Sequence, residues 1–287
     1  MLSELLALSG LLIGTATDMD HREVPDWVNY TMVFAGVLIA AILSAAIISW
    51  QPLIASLTGL ALGYLLGAAM YYTGQWGGGD AKMLMGLGAL LGVPTSFLVG
   101  ASTTPLFIYF LIAAVFAGAA YGMIWMAVLF ITKRAIAWPA LKKKLRTQQT
   151  LKIRKLAAST LLILALITLI YTHVYTLLIL VLAAISYLTF YLSLAAKTIE
   201  ETCFVKKQPV KDLVVGDWIL KDVKKNNQTI IKADNTGLTE KQLAKLKKHD
   251  IKTVTIKEGI PFVPSFLAAY LAAYWWWSSE LGLLFWI

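Results

Sequence analysis

The sequence predicts an all-α, polytopic membrane protein of about eight transmembrane helices with a small cytoplasmic α+β insert. Of its 287 residues, 59% are hydrophobic and only 14% are charged, whereas soluble domains have about 45–50% and about 25%. The apolar residues form tracts of about 20 residues, the length that a helix needs to cross a bilayer. Basic residues lie only in alternate connections between these tracts. This composition argues against an ordinary soluble enzyme and a disordered chain, and the single Cys203 excludes an internal disulfide.

Seven apolar tracts supply the predicted helices. Five of them precede the first long basic segment and cover residues 2–17, 28–49, 52–73, 83–101 and 105–132. The sixth tract, 155–196, has 42 residues and, at about 1.5 Å per residue, would be about twice as long as the bilayer core is thick. It is therefore predicted to fold back near residues 171–175 as a helical hairpin. The last tract covers 261–287 and brings the count to eight.

The third predicted helix has a regular glycine spacing. Gly59, Gly63 and Gly67 recur every four residues, so they lie on one face of the helix. Small residues at this spacing allow membrane helices to approach closely, and we interpret them as packing within one subunit.

The positions of the basic residues predict how the helices are oriented, because cytoplasmic connections are enriched in Lys and Arg. All 25 basic residues follow predicted helices one, three, five or seven: Arg22, Lys82, nine within 133–155 and fourteen within 197–257. The other connections contain none. We therefore expect a multi-pass protein of the cell membrane, with both termini outside and these four segments on the cytoplasmic side.

The first long basic segment, 133–155, is predicted to be a cytoplasmic loop. It includes Lys142, Lys143 and Lys144 and contributes to the net charge of +9. Such a loop is expected to bind anionic lipid headgroups. Nucleic acid is not an expected partner, because the charges are not interleaved with stacking aromatic residues.

The second long basic segment, 197–258, is predicted to form the α+β insert, with a helix from a Thr239 cap to about Lys248. Strands are expected at 213–215, 218–220, 228–231 and 253–256. The insert contains no catalytic motif. The chain is thus divided into five parts: five helices over 1–132, the basic loop 133–155, a helical hairpin over 156–196, the insert over 197–258 and a last helix over 259–287.

Acidic residues at the ends of the spans are the candidates for chemistry, because ionisable groups there are costly and usually functional. Five lie in two short cytoplasmic connections: Asp18, Asp20, Glu23, Asp26 and Asp80. Asp18 ends the first span and Asp80 precedes the fourth, so both are expected at the same membrane face although 62 residues separate them.

Two facing carboxylates can share one proton, since like charges close together resist joint ionisation. One carboxylate then activates a water while the other polarises a scissile carbonyl. Glycines 77–79, directly before Asp80, would let an extended peptide approach the backbone closely. The spacing is equally compatible with a helix-capping role for Asp80 and an interfacial position for Asp18.

Three motifs resemble those of one enzyme family. Asp18-Met-Asp-His-Arg22-Glu-Val-Pro25-Asp26 resembles the D-x-x-x-R-x-I-P-N signature of type IV prepilin peptidases. Gly77-Gly-Gly-Asp80-Ala-Lys82 resembles their G-x-G-D-x-K signature. Glu258-Gly-Ile-Pro-Phe-Val-Pro264, before the last span, looks like the G-I-P-F-x-P element of archaeal preflagellin and prepilin peptidases. All three come in the expected order, and the resemblance covers the first four spans and the last one.

The resemblance implies an integral-membrane aspartic endopeptidase of the GxGD type. Such enzymes remove short basic leader peptides from pilin-like or archaellin precursors at the cytoplasmic membrane face. By motif position Asp18 and Asp80 are the catalytic pair, whereas Asp20 is not, because Arg22 and Pro25 have the expected offsets only from Asp18. The residues expected to bind substrate or shape the site are Gly77, Gly78, Gly79, Arg22, Pro25 and Lys82. No metal or cofactor is expected.

The chain also departs from the family pattern. The family core has six helices, so the hairpin within 155–196 and the basic loop before it look like additions. Position 26 is Asp where the family usually has Asn, and position 24 is Val where Ile is common. The cysteine-rich zinc element of the bifunctional bacterial members is lacking, so no zinc site is predicted and N-methyltransferase activity is unsupported.

Two other functions are alternatives. A proton- or cation-coupled transporter or channel could use Asp18 and Asp80, but it would be expected to have acids near the middle of its spans. A Mg²⁺-dependent lipid-headgroup enzyme could use Asp18 and Asp20 as metal ligands, and it would lose activity with a chelator. No oligomeric state is predicted.

Overall fold

The computed structural model describes residues 1–100, 104–170, 174–225, 228–233, 237–249 and 251–284. The helices in this part of the chain are α1 Leu2–His21, α2 Asp26–Ala46, α3 Gln51–Tyr72, α4 Gly78–Leu91, α5 Thr95–Leu98, α6 Leu106–Thr132, α7 Arg134–Leu145, α8 Gln148–Ile170, α9 Val174–Cys203, α10 Glu240–Lys248 and α11 Val263–Leu284. The strands are β1 Val205–Pro209, β2 Trp218–Ile219, β3 Val223–Lys225, β4 Gln228–Ile231 and β5 Thr253–Lys257.

Five helices in the described residues are long and apolar enough to cross a membrane, namely α1, α2, α3, α6 and the part of α9 over Leu177–Cys203. The protein is therefore a mostly helical, multi-pass membrane protein with a small sheet region, as expected. The count of eight spans remains a prediction.

The fourth predicted span differs from a single crossing helix. Gly92 has a positive φ of 65°, which glycine adopts readily, and it ends α4 after 14 residues. At about 1.5 Å per residue, α4 is about 21 Å long, shorter than the bilayer core of about 30 Å. The short helix α5 follows after Pro94.

The chain divides into two compact units, residues 1–123 with 207–287 and residues 124–206. In the second unit, α7 and α8 both pack against α9. Lys144 forms an ion pair with Glu201 at 2.6 Å, and Lys133 Nζ donates a hydrogen bond to the Cys203 carbonyl at 2.6 Å.

The predictions for the second unit need two corrections. Residues 133–155 are largely helical rather than a loop, because α7 and the start of α8 occupy them, and their Ala, Leu and Lys residues are strong helix formers. Helix α9 extends to Cys203, seven residues beyond the predicted end at 196. The 155–196 tract does form two helices that pack together, while residues 171–173 of the predicted fold-back lie outside the described residues.

In the first unit, α4 lies against α1, α2 and α3. The glycine face of α3 meets the α4 backbone directly: a Cβ added at Gly63 would lie 2.6 Å from the Leu84 carbonyl oxygen, and one at Gly67 would lie 2.8 Å from that of Ala81. Gly59 makes the same kind of approach to Gly88. The spacing therefore reflects helix packing within one subunit, and it holds the helix that begins with Asp80.

Aromatic side chains join α6 and α11. Phe107 and Phe110 of α6 and Phe266 of α11 are all fully buried, and the rings of Phe110 and Phe266 meet edge to face at 5.8 Å. Farther along α6, a Cβ added at Gly118 would lie 2.8 Å from Phe262 Cζ. Helix α6 therefore packs on the segment that leads into α11.

The insert contains a three-stranded sheet in the order β1-β5-β2 and an antiparallel β3-β4 pair. Helix α10 starts at the expected cap, since the Thr239 hydroxyl accepts the Gln242 N–H, and its Leu246 is fully buried in the insert's core. The strand predicted at 213–215 is wrong: these residues lead into a turn in which Asp217 accepts the Val214 N–H at 3.0 Å. Strand β5 ends at Lys257, and five residues separate it from Val263, where α11 begins.

Candidate active site

Asp18 lies in the last turn of α1, and its side chain is almost completely enclosed, at 5% exposure. Its Oδ2 atom accepts a hydrogen bond of 2.9 Å from the backbone N–H of Val263. Val263 is the first residue of α11, and the first N–H groups of a helix have no partner within that helix. The start of α11 therefore supplies an available backbone donor to Asp18.

Arg22 makes a second connection between the same two parts of the chain. It ends α1 in a left-handed conformation, with φ 62° and ψ 25°. Its Nη1 atom donates to the Gly259 carbonyl oxygen at 3.2 Å. The first and third motifs are thus joined at two points, and the segment 259–263 lies against the end of α1.

Pro25 and Val24 shape the connection between α1 and α2. Pro25 is the N-terminal cap residue of α2, with φ −58°, and its ring fixes this angle before the helix starts. Val24 is buried, at 6% exposure. The buried side chain of Val24 therefore holds the connection between α1 and α2 in place.

Asp80 lies in the first turn of α4, and its Oδ2 accepts the Gly77 N–H at 3.1 Å. This is the helix-capping arrangement that the sequence left open as an alternative. A carboxylate has two oxygens and about four acceptor positions, so capping through one oxygen leaves the other available. Capping and chemistry are therefore compatible at Asp80.

Helices α1 and α4 bring the two aspartates together. A Cβ added at Gly14 of α1 would lie 2.5 Å from Met83 Cε of α4, so the helices touch at this point. Asp18 comes four residues after Gly14 and Asp80 three residues before Met83, and such spacings lie on the same helix face. Both carboxylates are thus one turn from the contact, and they are close enough for their charges to interact.

Lys82 forms an ion pair with Asp26 at 2.6 Å. Its Nζ also lies 5.5 Å from the centre of the Tyr30 ring. The pair joins the first two motifs, and it gives a physical role to the Asp at position 26. Because both side chains are partly exposed, at 35% and 58%, the pair contributes only about 0.2–1 kcal/mol to stability.

The three glycines before Asp80 have different surroundings. A Cβ at Gly79 would lie 3.3 Å from both the backbone nitrogen and the Cβ of Val24, so a side chain at this position would crowd Val24. At Gly78 the nearest atom would be Tyr71 Cε2 at 3.8 Å, and at Gly77 it would be Asp80 Oδ2 at 3.5 Å. A Cβ at Gly77 or Gly78 would therefore make only ordinary van der Waals contacts.

The other acids lie outside this arrangement. Asp20 is exposed and pairs with His21 at 3.1 Å. Partial burial raises the pKa of Glu23, and the charges of Asp217 in the insert and of Asp26 raise it further, against an opposing effect of His21. Within the described ranges, no group of three or more His, Cys, Asp or Glu side chains could hold a metal ion.

Three contributors to the site are not among the residues predicted from the sequence. The backbone N–H of Val263 donates to Asp18, the carbonyl of Gly259 accepts from Arg22, and the hydroxyl of Tyr121 in α6 lies 4.0 Å from Sδ of Met19, the residue after Asp18. Val263 and Gly259 both belong to the G-I-P-F-x-P element, so this motif could have identified them from the sequence. Tyr121 lies in an apolar helix and has no local sequence signal.

Residues 5–133 match the type IV leader peptidase family. The chain is also similar to preflagellin peptidases. It is 36% identical over 91 residues to that of Methanococcus maripaludis, covering 32% of this chain and 39% of the relative. It is 34% identical over 108 residues to that of Methanococcus voltae, covering 37% and 45%. It is 36% identical over 91 residues to that of Methanocaldococcus jannaschii, covering 32% and 38%. The matched parts thus span less than half the length of these curated relatives.

Proposed function

We propose that the protein is an integral-membrane aspartic endopeptidase, and the match of residues 5–133 to the type IV leader peptidase family supports this proposal. Its substrates are prepilin- or preflagellin-type precursors, from which it removes the short basic leader. One observation carries the proposal: Asp18 and Asp80 lie on touching helices, one turn from the Gly14–Met83 contact.

In the proposed mechanism, the two carboxylates share one proton and hold a water between them. The ionised carboxylate takes a proton from the water, whose oxygen attacks the scissile carbonyl carbon, while the protonated carboxyl donates to the carbonyl oxygen. The tetrahedral intermediate then breaks at its C–N bond: the leaving nitrogen takes the proton held by one carboxyl, and a hydroxyl of the intermediate returns its proton to the other carboxylate, which restores the singly protonated dyad. No covalent enzyme intermediate forms.

The proposed position of the substrate is determined by how the precursor is inserted in the membrane. The precursor's hydrophobic helix lies in the bilayer, and its basic leader remains on the cytoplasmic side. Asp18 and Asp80 lie at the same, cytoplasmic face in this arrangement, and both termini of the enzyme are outside. The basic residues of α7 and the start of α8 contact anionic lipid headgroups at that face.

The proposal is tested by co-expressing the protein with a pilin-like precursor and following the precursor's mobility in isolated membranes. We expect cleavage, with unchanged rate in the presence of EDTA, because no carboxylate cluster in the described part of the chain is suited to a metal. Inhibition by EDTA that Mg²⁺ reverses would instead favour the metal-dependent enzyme. A precursor that stays intact with the wild-type protein would contradict the proposed substrate class.

Substitutions of two neighbouring glycines test the proposed position of the substrate. Gly78→Ala is expected to slow cleavage by about 10-fold to 100-fold, a range typical of a small displacement of bound substrate, without lowering the unfolding temperature. Its Cβ would meet only Tyr71 Cε2, at an ordinary van der Waals distance of 3.8 Å, so it would crowd a bound substrate without displacing the protein's own atoms.

Gly79→Ala is the matched variant and is expected to destabilise the protein, because its Cβ would crowd Val24. Thermal unfolding in detergent and cleavage in membranes are measured for both proteins. If Gly78→Ala cleaves at the wild-type rate, the extended substrate does not lie beside this glycine.

A further inference from the structure

Tyr121 is a polar residue in a strongly apolar helix. It lies in α6, where the only ionisable side chains over Leu106–Thr132 are tyrosines. Its side chain is partly buried, and it has no place in the mechanism that the two aspartates provide. A phenol within a membrane helix usually has a hydrogen-bonding or interfacial role.

The packing of α6 places Tyr121 at the active site. Gly118 of α6 packs on Phe262, and Phe262 directly precedes Val263, whose N–H binds Asp18. Tyr121 follows Gly118 by three residues, so both lie on one face of α6. One turn of α6 therefore separates the contact with the 259–263 segment from the phenol.

The hydroxyl of Tyr121 is also located directly. Its oxygen lies 4.0 Å from Sδ of Met19, the residue after Asp18, and the charges of both Asp18 and Arg22 reach it. A thioether is a weak hydrogen-bond acceptor, so a peptide carbonyl would readily replace it. The contact of Gly118 with Phe262 and that of the Tyr121 hydroxyl with Met19 thus both place this part of α6 against chain neighbours of the residues that form the Asp18 hydrogen bond.

We propose that Tyr121 is a substrate-contacting residue whose hydroxyl donates a hydrogen bond to the precursor's backbone as the scissile carbonyl becomes negatively charged. The inference rests on the proposed peptidase function, and it adds the Tyr121 hydroxyl to the two aspartates as a third group that acts on the substrate. The dyad supplies the base and the acid, and Tyr121 supplies a fixed donor from a different helix. Such a donor stabilises the transition state more than the bound substrate, because the carbonyl oxygen gains charge during the reaction.

Tyr121→Phe tests this inference, because it removes only the hydroxyl and keeps the ring. With purified protein in lipid vesicles and a pilin-like precursor, we expect kcat to fall by about 100-fold, as for removal of one donor of this kind, with little change in KM. Tyr64→Phe is the control. It removes a phenol from α3 that is 54% exposed on the bundle surface, and we expect wild-type kcat and KM.

The outcomes separate this inference from the function on which it rests. If the wild type cleaves and Tyr121→Phe has wild-type kcat, the hydroxyl has no part in the reaction and the inference is wrong. A rise in KM with unchanged kcat would also contradict it, since the hydroxyl would then contribute equally to ground-state binding. If the wild type itself does not cleave, the peptidase proposal fails first.

Discussion

Asp18→Asn and Asp80→Asn are each expected to abolish precursor cleavage, with a loss of about 10⁴-fold or more, as for removal of a principal catalytic group. Asn has the size and polarity of Asp but cannot ionise, and a single carboxyl cannot both activate the water and protonate the carbonyl oxygen. The amide oxygen of Asn at position 18 can still accept the Val263 N–H, which Asp18 binds at 2.9 Å. The loss should therefore arise from chemistry and not from unfolding.

Asp20→Asn is the matched control for this prediction. Asp20 belongs to the same chain segment, but its side chain is 77% exposed and pairs with His21, so cleavage should remain close to wild type. The substrate mobility shift measures activity, and size-exclusion chromatography in detergent checks that each variant is folded. Cleavage by both single dyad variants would rule out the two-aspartate mechanism, and an inactive Asp20→Asn would favour metal binding.

Val263→Pro is expected to slow cleavage by about 10-fold to 100-fold with little effect on folding. The substitution removes the N–H that Asp18 accepts, and a hydrogen bond to a charged group contributes about 1.5–3 kcal/mol. Val263 is the first residue of α11, and proline is tolerated at the first position of a helix, because the N–H there has no partner within the helix. The substitution thus removes the donor to Asp18 without interrupting α11, and its effect on the buried side chain is measured separately with Val263→Ala.

Val263→Ala separates the backbone effect from the side chain. It keeps the N–H but removes buried methyl groups from a residue with 0% exposure, so it should lower the unfolding temperature and leave kcat nearly unchanged. Thermal unfolding and initial cleavage rates are compared across both variants. If Val263→Ala and Val263→Pro lose equal activity, the side chain matters and the hydrogen bond to Asp18 does not.

The sequence predicted the parts of the fold that repeat a simple pattern. The length of the apolar tracts and the basic residues in alternate connections predicted a multi-pass helical protein. The spacing of Gly59, Gly63 and Gly67 predicted that the third helix packs closely against another helix. Asp18 and Asp80 could be placed together because connections at one membrane face are neighbours. The ends of α4 and α9 were missed, since Gly92 breaks a continuous apolar tract and α9 continues through polar residues to Cys203.

The finer structure of the site depends on contacts that leave little trace in the sequence. Val263 supports Asp18 through a backbone N–H, which any residue but proline could supply. The partners Arg22 and Gly259 are 237 residues apart, and Asp217 of the insert influences Glu23 only after the chain has folded. These contacts require the packed positions of α1, α11 and the insert, which no local pattern specifies.

The glycine face of α3 has a mechanical consequence. Because the α3 and α4 backbones touch and α2 packs on both, these three helices hold the start of α4, where Asp80 lies. Asp18 belongs to α1, which packs on α11 as well as on α2 and α4 and is joined to the segment before α11 through Arg22. The tilt of α1 against the α3–α4 pair therefore determines the separation of the two carboxylates. Helix tilt responds to bilayer thickness, so we expect the rate of the proposed reaction to depend on the thickness of the surrounding bilayer.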